Sequence, residues 1–278
     1  MIKKILFALI LILVLVNAAF AAGMKIGTLA HQNMSESEYA EFINSQTRNF
    51  FGWKILNTNH SLDDEFIYFG SLNSMLMALG ADKIEEVALP EPVAEYVVNA
   101  NSNFELSCAL HSRPTHLALG FRNDDEGKEL CERVNQAINA MKADRSLSLL
   151  TSKYMRGNSA VSQPDMAKFA LFPNVKTLRV AVTGDLPPLD MTAPDGTPIG
   201  FNTAVLAEIG KRIEANIELV NIDSDARTAA LMSNRVDMVF WYQVYDGVDK
   251  QPDAPDGVLI SEPYYSWDKF LHLRHFVR

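Results

Sequence analysis

The side chains here that could do chemistry are acids and aromatic rings placed where apolar runs end. Asp185 and Asp190 follow the run Leu178–Thr183. Trp241 and Tyr242 close the run that begins at Val236, with Asp246 and Asp249 just beyond. Glu262 follows Val258–Ile260, and Tyr265 comes soon after. In open α/β sheets, ligands settle where strands end. These acids would suit a cationic or amine-rich solute. Trp241 and Tyr242 can stack on a ligand or hold a cation over a ring face, and they serve equally well as core. Nearer the start, Asn33 and Ser35 lie in the loop after Met24–Leu29, and Glu91 follows Glu86–Leu89. Ser35, with Glu38 three residues on, forms a capping box. The helix starting there turns free N–H groups toward any ligand carboxylate, or Ser35 simply caps it.

Catalysis finds little support. There is no G-x-S-x-G, no H-E-x-x-H and no P-loop. His272 and His275 stand three apart in a strand followed by a tail, which does not make a metal site. His111 and His116 are no better placed. Cys108 and Cys131 are not in a C-x-x-C; an oxidising compartment would allow them to pair, but nothing in the sequence brings their Cα atoms together. The reading is of no catalytic residue, no metal and no cofactor.

The elements that would position these residues alternate. Strands are expected at Met24–Leu29, Glu86–Leu89, Leu117–Phe121, Leu178–Thr183, Ile217–Asn221, Val236–Trp241, Val258–Ile260 and Phe270–Leu273. Helices are expected from Ser35, over Ser71–Leu79, Pro92–Val98, from Asp124 to about Ala143, and over Ser146–Met155, Asn202–Ile213 and Ala226–Met232. Caps and apolar spacing mark most of them. Thr47–Leu62 reads as loop, and Arg156–Val175, rich in Gly, Asn, Ser and Pro, as a linker. Alternation of this kind implies an α/β protein with a largely parallel sheet covered on both faces.

With 278 residues the chain is long enough for two such lobes. A net charge of −9 argues against a nucleic-acid partner and against attraction to acidic membranes. Lys3 and Lys4, the apolar run Ile5–Val16 and the small-x-small site Ala19-Phe20-Ala21 read as a cleaved signal peptide over 1–21. Its loss takes the charge from −9 to −11. No Cys follows the cut, so no lipid anchor is indicated, and the expected location is periplasmic or secreted.

Four ordered motifs carry a family likeness. They are Leu178-Arg179-Val180-Ala181-Val182 with Gly184-Asp185-x-Pro187-Pro188; Asp195-Gly196-x-Pro198-x-Gly200-Phe201-Asn202; Ala230-Leu231-x-Ser233-x-Arg235-Val236-Asp237; and Ser261-Glu262-Pro263-Tyr264-Tyr265. Together they resemble the opening lobe of the extracellular solute-binding proteins of polar amino-acid importers, family 3. Leu130, Val134-Asn135, Ala137, Met141-Lys142-Ala143-Asp144, Leu147 and Lys153-Tyr154 resemble that lobe's closing segment, with Arg145 where the family prefers Gly. Met24–Val98 resembles the second lobe. The pieces run in the wrong order: a second-lobe domain over 22–110, the closing elements of the first lobe over 111–156, a linker over 157–175, and the opening of the first lobe over 176–278. That is the order of a circular permutation, which domains with neighbouring termini tolerate. It predicts Met24 and His275 near the hinge and a single lobe-to-lobe crossing near Glu105–Pro114; the rival is a truncated fusion of two copies.

The resemblance implies a monomeric, non-catalytic receptor that delivers a small polar ligand, an amino acid or related amine, from a cleft between two lobes to a membrane ABC permease. It also exposes departures. The family's carboxylate-gripping Arg should stand about twelve residues after Asp237, and that position is Asp249. Arg227 either substitutes for it or is a surface arginine. The second-lobe acid for the ligand ammonium falls near Pro90, beside Glu91. The ligand set read from this likeness and from the strand ends is Asp185, Asp190, Asn202, Arg227, Trp241, Tyr242, Asp249, Glu262, Tyr265, Asn33, Ser35 and Glu91. Two alternatives remain: a sensory or partner-binding pair of lobes with a degenerate cleft, and a dehydratase on the same fold with Glu262 or Asp249 as its acid.

Overall fold

The computed structural model describes residues 23–50, 64–155 and 167–276, with the side chains of 46–50 and 109–113 left aside. The signal peptide expected over 1–21 and the first part of the expected linker lie outside them, as does most of the expected loop Thr47–Leu62.

The first half of the chain gives β1 (Lys25–Leu29), α1 (Glu36–Phe50), β2 (Glu65–Phe69), α2 (Leu72–Gly80), β3 (Glu86–Pro90) and α3 (Glu91–Ala100). Side-chain caps start α1 and α2 where the sequence places them. Glu38 accepts from the Ser35 N–H at 2.8 Å and completes the capping box, and Ser71 accepts from Ser74 N–H at 3.2 Å. Strand β2 was not among the expected strands. Its run Phe66-Ile67-Tyr68-Phe69 has no alternation to reveal it; full parallel pairing with β1, Lys25↔Glu65 to Leu29↔Phe69, is what makes it a strand.

Strand β4 (Phe104–Arg122) follows, then α4 (Asp125–Ala143), capped by Asp124 at 2.7 Å from Gly127 N–H, and α5 (Ser146–Met155). The rest comprises β5 (Thr177–Val182), a small sheet of β6 (Asp185–Leu186), β7 (Asp190–Thr192) and β8 (Pro198–Ile199), then α6 (Phe201–Arg212), β9 (Asn216–Asn221), α7 (Arg227–Met232), β10 (Met238–Tyr245), β11 (Val258–Ile260) and β12 (Tyr265–His275). Cys108 lies in β4 and Cys131 in α4, and no disulfide joins them.

The main sheet runs β2-β1-β3-β12-β4-β10-β5-β9, with β11 also on β4. It is parallel only in its wings, β2-β1-β3 and β10-β5-β9. At its centre β4 is antiparallel to both β10 and β12. The expected largely parallel sheet is therefore a mixed one, because two strands pass between the wings. Strand β12 starts against the β10 end of β4, Tyr265↔Leu117, and finishes against its other end, His275↔Phe104, while Leu273 pairs with Val87 of β3. The lobes are thus joined by two crossing strands rather than the single crossing expected. Strand β12 changes register between Trp267 and Lys269 and again between His272 and Leu273.

These registers fix where the strands point. Strand β3 reaches its end at Pro90↔Phe270, and Phe270 pairs with Leu110. Strand β10 ends at Tyr245↔Thr115. The carboxyl ends of both parallel wings therefore face each other across the middle of β4. Strand β1, which follows Met24, begins and β12, which closes with His275, ends at the outer end of their lobe, on opposite sides of β3, and not at the crossing.

Candidate ligand crevice

The loops that leave these facing ends meet. Leu72 N–H, at the start of α2, donates to Asp185 Oδ2 at 3.1 Å. Ser224 N–H donates to Gly70 O at 3.3 Å, and Gln32 Nε2 to Ser224 O at 3.0 Å. The loop after β10 folds over the crevice: Asn33 N–H reaches Pro252 O at 2.9 Å, and Asn33 Nδ2 reaches Gln251 O at 2.9 Å and Ala254 O at 3.2 Å. Lys250 pairs with Glu38 at 2.9 Å. The lobes are shut on each other.

Beneath that lid lies a buried ion pair. Arg227 and Asp253 are each 1% exposed. Arg227 Nη2 contacts both carboxylate oxygens of Asp253, at 3.1 and 3.2 Å. Its Nε donates to Ser224 O at 2.9 Å, its Nη1 donates to Trp241 O, and its guanidinium lies 3.9 Å from the centre of a Trp241 ring. Asp253 also accepts from Gln243 N–H at 3.1 Å. A bulge makes this arrangement possible: β10 breaks register between Val239 and Tyr242, and Trp241 takes φ 53°, a left-handed backbone rare for a bulky residue.

His31, at the end of β1, is buried against Tyr39 with ring centres 4.1 Å apart. Burial pushes its pKa down to about 4, against the pull of Asp253, so it is neutral near pH 7. Around the ion pair, His31 Nε2, Ser224 Oγ, Trp241 Nε1 and Gln243 Oε1 are buried without a hydrogen-bond partner among the described residues. A set of unsatisfied polar atoms in one place is costly and marks a site that receives something polar.

The expected site residues divide. Asp185 faces the opposite lobe, its carboxyl pushed up by burial and held back by its hydrogen bonds to Thr183 and Leu72. Asn33 clamps the lid. Arg227 is neither a surface arginine nor free to clamp a ligand, since it grips the chain's own carboxylate. Trp241 and Tyr242 are core, at 1% and 0% exposure. Asp190 and Asn202 are fully buried in the wall behind Asp185. Asp190 accepts from Thr183 N–H at 2.8 Å, and burial raises its pKa to about 6; Asn202 Oδ1 accepts from Tyr264 O–H at 3.1 Å. Tyr265 packs edge-on to Phe201 at 5.4 Å. Ser35 is an exposed cap and Glu91 pairs with Lys269 at 3.3 Å. Two expectations are corrected. Asp249 is exposed on the lid, and Glu262 is exposed on the far face, its N–H donated to Asn135 Oδ1 at 2.7 Å and its carboxylate 3.8 Å from Lys142 on α4. Neither enters the crevice. Sequence reasoning missed Asp253, four positions beyond the one an ungapped count from Asp237 reaches, and with it Ser224 and Gln243.

A shallow depression of about 200 Å³, lined by Arg122, Glu126, Lys176 and Asp237, lies at the opposite ends of β5 and β10. Its charges pair with one another or with near neighbours, as Arg179 and Lys176 do with Asp237, and it is not at the ligand-binding ends of the strands.

Residues 178–274 match the model of the bacterial extracellular solute-binding proteins, family 3. The matched segment is the lobe from β5 onward together with the crossing strand β12, and it contains Asp185, Arg227, Trp241 and Asp253. No curated protein matches the chain. Solved structures of similar shape include the ligand-binding component of an ABC-type import system from Staphylococcus aureus with zinc bound (11% identity, 91% of this chain and 66% of that one, TM-score 0.42). Others are the methionine-binding protein MetQ (11%, 91% and 83%, TM-score 0.42) and a pheromone cOB1 precursor/lipoprotein of the YaeC family from Enterococcus faecalis (13%, 91% and 85%, TM-score 0.42).

The crevice's buried ionisable groups set two expectations. Asp253→Ala strands Arg227 in the interior and should cost about 3–5 kcal/mol of unfolding free energy in urea, whereas the double change Arg227→Met, Asp253→Leu should cost less than Asp253→Ala alone; additive losses would show that the pair is not a unit. The second concerns pH. Asp190 has a raised pKa, so its contribution to stability is present below its unfolded value and lost as pH rises through about 6. His31 has a lowered pKa, so its contribution is present above the unfolded value and lost as pH falls toward about 4. The two offset each other. Asp190→Asn should therefore unmask an acid-side loss of roughly 2–3 kcal/mol between the ordinary histidine pKa and about 4, read from urea melts across pH; an unchanged profile contradicts the assignment.

Proposed function

We propose that the chain is an exported, monomeric, non-catalytic receptor that holds a small amine-bearing solute between its lobes and passes it to a membrane ABC permease. The family-3 match supports the receptor, and so does the meeting of strand ends from two lobes joined by a pair of crossing strands, an arrangement suited to hinge closure. No described helix is long and apolar enough to cross a membrane.

The charge left over in the crevice carries the ligand class. Arg227 is cancelled by Asp253, Lys250 by Glu38 and Lys269 by Glu91. Asp185 remains, half-buried, with Asp223 adding to the negative field and Asp225 close to Gly70. A cation placed beside the Asp185 carboxylate would relieve that surplus; an acidic solute would add to it. The dehydratase reading loses both of its candidate acids, because Asp249 and Glu262 lie outside the crevice. The partner-binding reading keeps one observation in its favour, that the chain's own groups already bridge the lobes.

The circular permutation stands with this reading. Strands β12 and β1 lie on the two sides of β3, so the link that an unpermuted chain would carry there spans a single strand.

A thermal-shift series with lysine, arginine, putrescine, spermidine, glutamate and aspartate tests the proposal. An amine at a hundred times its Kd should add about 2.7 kcal/mol, a rise of roughly 5–10 °C in Tm, and be recovered unchanged. Asp185→Asn should abolish the shift. Preference for glutamate or aspartate would sink the amine assignment; no shift with any member would favour the partner-binding reading.

A further inference from the structure

Away from the crevice, three strands bring together a glutamate, a cysteine and a histidine. Glu86 of β3, His272 of β12 and Cys108 of β4 offer ligand atoms that all lie within 4.8 Å of one another. The register explains the gathering. His272 pairs directly with Cys108 on one side and with Ala88 on the other, and Ala88 is two residues from Glu86. Residues directly opposite in antiparallel strands, and residues two apart in one strand, share a face. Glu86 and His272 are 7% and 2% exposed, and Cys108 is half-buried. His272 Nδ1 stands 2.9 Å from Glu86 Oε2.

Burying a carboxylate and an imidazole in a sheet costs stability that an apolar pair would not. Their immediate neighbours on that face, Ile26 and Ala88, are apolar. A reason beyond packing is needed, and the chemistry of the three groups supplies one.

We propose that Glu86, Cys108 and His272 form a zinc site. Thiolate, imidazole and carboxylate are the three ligand types zinc accepts together. Zinc bonds of about 2.0–2.3 Å place tetrahedral ligands roughly 3.3–3.8 Å apart, so the 2.9 Å between His272 and Glu86 would open slightly and the other separations, within 4.8 Å, would close by about an ångström or less. Three protein ligands leave the fourth position for water or a solute. The sequence reading set His272 aside because it was compared with His275; its partners come from other strands, and spacing along one strand cannot reveal them. The ion would pin β3 to both crossing strands, at the lobe that lies outside the family-3 match.

The purified protein, stripped with a chelator and titrated with zinc or cobalt, tests this. Elemental analysis after dialysis should find about one zinc per chain, and cobalt should give a thiolate-to-metal charge-transfer band in the near ultraviolet. Cys108→Ser should remove the band, and His272→Gln should remove stoichiometric zinc. Cys131→Ala, remote on α4, should leave both. Should His272→Gln fail to fold, the cobalt band in Cys108→Ser decides alone. Absence of zinc and of the band in the parent protein, survival of the band in Cys108→Ser, or its loss in Cys131→Ala would overturn the site.

Discussion

Strand β4 runs for 19 residues, and β12 lies antiparallel along most of it. Every other strand of the main sheet takes its place from that pair. Strand β3 docks on one end of β12, and β10 and β11 dock on the opposite end of β4. Because the two wings hang from a common antiparallel core, their parallel strands are forced to point at each other, and whatever follows them in sequence is delivered to one crevice. No loop needs to be long or specially shaped to reach it. The register shift between Trp267 and Lys269 interrupts the ladder between the docking points, where a hinge would have to bend.

Into that crevice the chain sends its own charges. The Arg227–Asp253 pair is almost fully buried, stacked on Trp241 and tied to backbone at Ser224, Trp241 and Gln243. Such a pair adds little net stability compared with an apolar filling, but removing one partner is severe. Its effect is to neutralise the cation that would otherwise attract an acidic solute, and to hold the lid through Asp253. The family likeness led to the expectation of an arginine that grips the ligand. That position holds Asp249, and Arg227, the candidate substitute, has its grip taken by Asp253, which shifts the electrostatic character of the crevice toward Asp185.

Much of the fold was legible because its signals are local. Ser35-x-x-Glu38, Ser71 and Asp124 announce helix starts, and the apolar runs of β1, β3, β5, β9 and β11 were placed within a residue or two. Strand β2 and the full length of β4 were not, since an unbroken aromatic run and a polar crossing strand become strands only through their neighbours. The site was half legible for the same reason. Asp185, Asn33 and Arg227 were found at strand and helix ends. Asp253 was missed because it lies inside the loop after β10, where no strand or helix end marks it, and Glu262 was misplaced because the face a residue takes after β11 depends on packing against α4. The Glu86–Cys108–His272 cluster, drawn from three strands distant in sequence, leaves no spacing signature at all.

A receptor of this build must open and close its two lobes over the crevice about β4 and β12. The amides of Asn33, Leu72 and Ser224 each donate across it, to Pro252, Asp185 and Gly70. Residue-resolved hydrogen exchange measures them directly. Hinge opening predicts that these three amides exchange together, through an opening far smaller in free energy than global unfolding, while the β4–β12 ladder stays protected. If the three exchange only when that ladder does, the lobes are a single closed unit and the receptor account is contradicted.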